Sequence, residues 1–173
     1  GALSGPSPRV AFAGNVTQID RFAAPLRDTA RLDGIIDFTQ GTPVLSASVA
    51  AVPGVRLDVR GPVSGADAEI SFDAQVEDPG GFVAQFPGPA KAAGTFDLRP
   101  STPRLSARIS AEPAITARID GPLAGDTQPL TLSAAIADLG PILGALSGPA
   151  EVTAELRDLD EVPRVNAQIT AAR

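Results

Sequence analysis

The sequence predicts an all-β protein, an elongated and bent antiparallel sheet of the β-taco type, on three observations. Short segments alternate apolar and polar residues, as AEISFDAQVE does at 68–77, and such alternation gives a strand one apolar face. Turns rich in Gly, Pro and Asp separate these segments at short intervals, which favours antiparallel neighbours. Motifs also recur at an offset of 60 residues: TPVLSA at 42–47 returns as TPRLSA at 102–107, and GPVSG at 61–65 returns as GPLAG at 121–125.

The offset divides the chain into repeats of about 60 residues at 1–60 and 61–120, and a shorter third repeat at 121–173. The pattern runs to both ends of the sequence. We therefore expect residues 1–173 to be a single β-groove fragment of a longer protein.

Each full repeat is expected to hold about four strands, which gives about eleven strands in the chain. In the second repeat the strands are predicted at 68–77, 90–99, 103–111 and 114–120. Prolines such as Pro103 stand at strand starts, where a missing N–H group is tolerated. The expected apolar lining of the groove comprises Val10, Phe12, Val16, Ile36, Phe38, Leu45, Val49, Val55, Leu57, Val59, Ile70, Phe72, Val76, Phe96, Leu98, Leu105, Ala107, Ile109, Ile115, Ile119, Leu130, Leu132, Ile136, Val152, Leu156, Val165 and Ile169.

One longer connector follows the first strand of each repeat, at 18–29, 78–89 and 138–149. The third reads DLGPILGALSGP, with Asp138 placed as a helix N-cap and Gly148 as a stop. We expect one or two turns of helix in each connector. A helix this short is too small to cover a sheet of eleven strands.

Composition argues against several classes of function. The chain has no His and no Cys, so catalytic triads and His or thiolate metal sites are impossible within it, and no enzyme activity or cofactor is expected. Its net charge is −6 and it has no basic run, which argues against a nucleic-acid partner. The acidic residues Asp158, Asp160 and Glu161 are interpreted as a solvated turn and not as a metal site. We expect Arg104 and Arg164 to face water.

The apolar face has three possible fates. It is the core of a closed sandwich or barrel, the dry axis of a β-solenoid, or the lining of an open groove. Leaving roughly forty apolar side chains in water would forfeit about 1.5–3 kcal/mol for each large one, so the face must be covered. A strand bent at its middle gives a groove about 15 Å deep, close to one leaflet of the bilayer core. Small residues near the strand middles favour the groove.

Residues 138–171, DLGPILGALSGPAEVTAELRDLDEVPRVNAQITA, resemble the C-terminal region of TamB-like proteins, of the bridge-like lipid-transfer class. The resemblance implies a periplasmic β-groove, in an envelope protein anchored in the inner membrane, that binds the acyl chains of phospholipids. It further implies lipid transport between the bacterial membranes, support of outer-membrane biogenesis and protein assembly or secretion, and an Omp85-type, TamA-like partner. The alternative is a structural or adhesive β-repeat with a dry core.

Overall fold

The structure is a computed structural model, and it describes residues 8–17, 27–52, 54–81, 88–99, 101–112, 115–124, 128–140, 144, 147–157 and 164–171. These residues form eleven strands in chain order: β1 Arg9–Thr17, β2 Arg27–Asp37, β3 Val44–Val52, β4 Val55–Pro62, β5 Glu69–Val76, β6 Ala90–Asp97, β7 Arg104–Ala111, β8 Ile115–Pro122, β9 Leu130–Ile136, β10 Ala150–Arg157 and β11 Arg164–Ala171.

The eleven strands form one open antiparallel sheet in which every strand pairs with the next along the chain. Strands β1 and β11 are its two edges, and the sheet does not close on itself. The predicted all-β class and antiparallel pairing are confirmed. The four strand ranges predicted for the second repeat agree with β5 to β8 within two residues at each end.

The connectors differ from the prediction where the structure describes them. The second holds a three-residue 3-10 turn, Pro79–Gly81. In the third, one hydrogen bond of the helical i→i−4 type is described, from the Gly144 N–H group to the carbonyl of Gly140 over 2.9 Å, and residues 141–143 between them lie outside the described residues. Residues 27–29 of the first belong to strand β2, and its remainder lies outside the described residues. A helical segment of one or two turns in each connector is therefore not supported.

The register of the sheet sorts the side chains by polarity. Because residues on one face recur with period 2, an even register keeps apolar residues opposite apolar ones from strand to strand. Four apolar rows run across the sheet, separated by polar rows on the other face. The row nearest the strand middles, called the central row below, comprises Phe12, Gly34, Ala47, Val59, Phe72, Gly94, Ala107, Ile119, Leu132, Ala154 and Ala167.

Strands β4 and β8 each have, as their next-to-last residue, a glycine with a backbone conformation that other residues rarely adopt. Gly61 has φ 153° and Gly121 has φ 148°, and a proline follows each of them. A Cβ atom on Gly61 would lie 3.0 Å from the Cα of Ile70, and one on Gly121 would lie 2.8 Å from the Cα of Leu130. Glycine is needed at both places because the neighbouring backbone approaches closely.

The sheet has no second layer in the described part of the chain. The accessible surface is 11007 Å² for 17.5 kDa, whereas a compact monomer of that mass exposes roughly 7,900 Å². The buried apolar residues are nearly all small: Ala30, Ala68, Ala107, Ala150, Ala154 and Leu139. A two-sheet sandwich therefore does not describe these residues, and neither does a solenoid, whose coils stack in parallel.

Two glycines on the apolar face give a direct test of this packing. A Cβ atom on Gly94 would lie 2.7 Å from the Cα of Ala107 in the paired strand, whereas one on Gly14 would meet nothing within 4 Å. We expect Gly94→Ala to lower the free energy of unfolding by about 1–3 kcal/mol, because strands β6 and β7 must separate. Gly14→Ala should instead be neutral or raise it by up to about 1 kcal/mol. Urea denaturation of both variants measures the difference, and equal midpoints would contradict this packing.

Candidate functional site

The predicted lining residues within the strands all lie on one face of the sheet. Strand pairing places Ile70 opposite Phe96, Phe96 opposite Leu105, and Leu156 opposite Val165. Phe38 and Leu98 lie one residue beyond their strands, and their N–H groups donate to the carbonyls of Pro8 and Ala68 and continue the ladder. The structure thus brings the predicted set together as one continuous apolar surface.

This apolar surface is half-buried. The rings of Phe72 and Phe96 pack at a centroid distance of 5.1 Å and an angle of 37°. The Phe12 ring lies over Gly34, with its Cε2 atom 2.7 Å from the place where a Cβ would stand. On the edge strand β11, Val165 and Ile169 are 64% and 68% exposed. Contact between neighbouring apolar side chains therefore covers much of the face, and its edge remains in water.

Small residues of the central row are its most buried part. Ala107 is 5% exposed and Ala154 is 9% exposed, while the larger side chains beside them are half-buried. Larger members of the same row, such as Phe72 and Leu132, are half-buried. The central row therefore mixes small, buried residues with larger side chains that cover them in part.

The opposite face is polar, and several of its arginines pair with carboxylates. Arg31 lies 2.7 Å from Asp33 and Arg56 lies 2.7 Å from Asp58, in each case two residues apart on one strand. The Arg56 guanidinium and its hydrogen bond hold the pKa of Asp58 below its ordinary value. Exposed pairs of this kind contribute little to stability, and they keep this face in water.

Near the end of β6, Arg99 offsets the electrostatic repulsion between two acidic residues. Glu69 and Asp97 stand directly opposite each other on paired strands. The Arg99 guanidinium lies 2.7 Å from Asp97 and 3.6 Å from Glu69, and the Arg99 N–H also donates to Asp97 over 3.0 Å. The hydrogen bond from the Arg99 side chain, with that backbone bond, lowers the pKa of Asp97 to about 2.

A depression with a volume of about 740 Å³ lies on the polar side, across strands β5 to β10. Most of its lining belongs to two polar rows, and its apolar-row members lie between those rows. Arg108 and Arg118 stand directly opposite each other in it, with Ser110 opposite Thr116. A second depression of about 740 Å³ lies on the same side, over strands β1 to β4. Both are on the face away from the predicted lining.

Sequence reasoning did not predict the polar-side depression. The signal was available in the alternation, because residues 108 and 118 fall on polar positions of two adjacent strands. Arg104 is half-buried and donates a hydrogen bond of 3.0 Å to Gln128, while Arg164 is exposed. Asp158, Asp160 and Glu161 lie outside the described residues.

No family model, curated protein or solved structure matches the chain. The resemblance to TamB-like proteins therefore rests on the sequence pattern of residues 138–171 alone. Within the described residues no cluster of three or more acidic side chains is placed to hold a metal ion, and no helix is long and apolar enough to span a bilayer.

The central row offers a test of how tightly the apolar face is packed. Ala107→Asp places a carboxylate at a position that is 5% exposed, so we expect a loss of about 3 kcal/mol in the free energy of unfolding. Ala167→Asp, in the same row on the exposed strand β11, should change it by less than about 0.5 kcal/mol. Equal effects in urea denaturation would contradict the burial of the row.

The Asp97 cluster predicts a specific dependence of stability on pH. Because the folded-state pKa of Asp97 is about 2 and its ordinary value is 3.8, its contribution is complete above about pH 4 and is lost as pH falls towards 2. Asp97→Asn removes that contribution. Thermal midpoints measured from pH 5 to about pH 2 should therefore fall less steeply for the variant, and parallel curves would argue against the Arg99 contact.

Proposed function

We propose that the apolar face of the sheet holds and conducts the acyl chains of lipids, without catalysis. The observation that carries the proposal is a continuous apolar surface across all eleven strands that no second layer of the described residues covers. An exposed apolar surface of this extent marks a binding site in most proteins. Acyl chains suit it because its side chains are aliphatic or phenyl groups, and polar side chains are confined to the other face.

The exposure of alternate residues supports a sheet bent around its apolar face. On a flat, uncovered sheet, the two faces would be equally exposed. In β5 and β9 the apolar residues are half-buried while every polar neighbour is exposed, and in β10 the apolar residues are half-buried or buried. Open sheets of about ten strands also tend to curl. We propose that curvature towards the apolar side adds to this difference and forms a groove, whereas the depressions on the polar face are troughs between its rows of side chains.

The size of this groove suits a lipid tail. Strands of eight residues are about 27 Å long, so each half of a bent strand is about 13 Å deep. Eleven strands spaced about 4.8 Å apart extend roughly 50 Å along the groove. The half-buried large side chains of the apolar face, such as Phe72 and Leu132, would line this groove.

A repeating unit of 60 residues is part of the proposal. Hydrogen bonds recur at that offset: Ser71 to the carbonyl of Arg60 and Thr131 to that of Asp120, both over 2.8 Å. The N–H groups of Gly80 and Gly140 likewise donate to the side chains of Asp78 and Asp138. A groove built from equal units is extended by adding units, which suits a protein that spans a gap between membranes.

Three further parts of the proposal come from the TamB-like resemblance: a place in the bacterial periplasm with an inner-membrane anchor, a role in lipid transport and outer-membrane biogenesis, and an Omp85-type, TamA-like partner. The alternative function is that of a structural or adhesive β-repeat. The uncovered apolar face favours the conduit, because an adhesive repeat requires a filled core.

Photo-crosslinking in cells tests the conduit. A photoreactive amino acid at Phe72 or Leu132, on the apolar central row, should capture lipid, because an acyl chain in the groove lies against these positions. The matched control is the same residue at Ser71 or Thr131, one position away on the polar face. Mass spectrometry of the adducts identifies the lipid.

The conduit predicts capture at both apolar positions and little or none at the polar controls. Equal capture on the two faces, or capture of protein alone at Phe72 and Leu132, would contradict it. The second outcome would favour the structural repeat, in which another protein surface covers the apolar face.

A further inference from the structure

Two arginines of the polar face form a like-charged pair without a counter-charge. Arg108 and Arg118 are directly opposite each other on strands β7 and β8, and both are exposed. Neither forms an ion pair with any residue that the structure describes. Like charges directly opposite on paired strands are destabilising. The juxtaposition of these two positive charges is therefore unfavourable, even though the whole chain has a net charge of −6.

Other like-charged pairs on this face have a compensating partner. Glu69 and Asp97 share Arg99, and Asp58, opposite Asp73, pairs with Arg56 over 2.7 Å. Arg157, opposite Arg164, lies 3.2 Å from Glu155. The pair formed by Arg108 and Arg118 differs from these, because neither arginine forms an ion pair with a described residue, although Asp120 stands two positions from Arg118 on the same face.

The surroundings of the arginine pair are those of an anion site. Ser110 and Thr116 lie beside it on the same two strands, and Ser133 stands opposite Arg118 on β9. Lys91 stands opposite Ser110 on β6, which adds a third cation. All of these residues line the depression of about 740 Å³. Three cations and three hydroxyl groups thus line one trough of the polar face, together with the carboxylates of Asp73 and Glu151.

The fold itself does not require the arginines. The hairpin β3–β4 has the same register as β7–β8, since Val44 pairs with Pro62 as Arg104 pairs with Pro122. At the positions that correspond to Arg108 and Arg118 it carries Ser48 and Asp58. A serine and an aspartate therefore satisfy the same hairpin, and the two arginines need another explanation.

We propose that Arg108 and Arg118 bind a phosphate group, with Lys91 and the hydroxyls of Ser110, Thr116 and Ser133 as further donors. Two guanidinium groups suit a tetrahedral oxyanion, which offers more acceptor oxygens than one carboxylate. Asp73 and Glu151 also line the depression, and their charges oppose a long polyanion more than a single phosphate. The phosphate belongs either to a lipid headgroup at a membrane surface or to a soluble compound.

Two probes distinguish the two sources. Inorganic phosphate is titrated into the labelled protein at low ionic strength, and the Nε–H resonances of Arg108 and Arg118 are followed by NMR against a chloride titration. Co-sedimentation compares vesicles of phosphatidylcholine with vesicles that also contain phosphatidylglycerol. The test variant is Arg108→Ser/Arg118→Ser, and Arg31→Ser/Arg60→Ser on the same face is the control with equal charge.

If the site binds phosphate, the Nε–H resonances should shift saturably with added phosphate, or vesicle binding should require phosphatidylglycerol. The corresponding affinity should fall roughly tenfold or more in the test variant and much less in the control. Strong binding to vesicles with weak binding of free phosphate would identify a lipid headgroup as the ligand. Strong binding of free phosphate with weak binding to vesicles would identify a soluble compound. The test variant should also melt at or above the temperature of the wild-type protein, because the repulsion is gone. Binding unchanged in the test variant, equal loss in both variants, or tighter binding of polyglutamate than of phosphate would overturn the proposal.

Discussion

The structure depends on one constraint, the even register of ten consecutive strand pairs. A slip of one residue at any pair would carry every later apolar side chain to the polar face, because side chains alternate with period 2. The register holds from Val10 opposite Ile36 at one edge to Val152 opposite Ile169 at the other. Turns rich in Gly and Pro fix the strand lengths, and Gly61 and Gly121 let β4 and β8 end close to the next strand. The separation of an apolar from a polar face follows from this register.

Side-chain size then determines what the apolar face can do. A sheet packed against a second layer normally fills its middle with large residues, since their burial supplies most of the stability. Here the most buried mid-strand positions are Ala107 and Ala154, and Gly94 allows the β7 backbone to approach closely. Large side chains such as Phe72 and Phe96 pack sideways on their neighbours in the same sheet. Stability therefore comes from contacts along the sheet, because no second layer of the described residues packs on the apolar face.

The sequence was sufficient for the class, the number of strands and the face of each residue, because these follow from alternation and local turn signals. The range 103–111 was predicted for a strand that spans Arg104–Ala111. The connectors were predicted less well. The sequence Asp-Leu-Gly at 138–140 is compatible with a capped helix, and it is equally compatible with a turn. In the structure, the side chain of Asp138 accepts hydrogen bonds from the N–H groups of Gly140 and Gly148. The polar-side depression was not predicted, because it depends on which residues of separate strands become neighbours. The alternation of apolar and polar residues predicts on which face Arg118 lies, but only the strand register shows that Arg108 stands opposite it.

The two faces of the sheet differ in polarity, although they share one backbone. The apolar face excludes charge, so a lipid tail that lies on it meets only aliphatic and phenyl groups. Several charges of the polar face form compensated pairs, such as Arg31 with Asp33, and these pairs cost little in water. Arg108 and Arg118 instead face a like charge, and they lie on the face opposite the proposed groove. A phosphate bound there would remain outside the groove, so headgroup recognition and the passage of acyl chains would be separated by the thickness of one sheet. One strand would thus serve both tasks, with Ile109 turned to the groove and Arg108 turned to the phosphate.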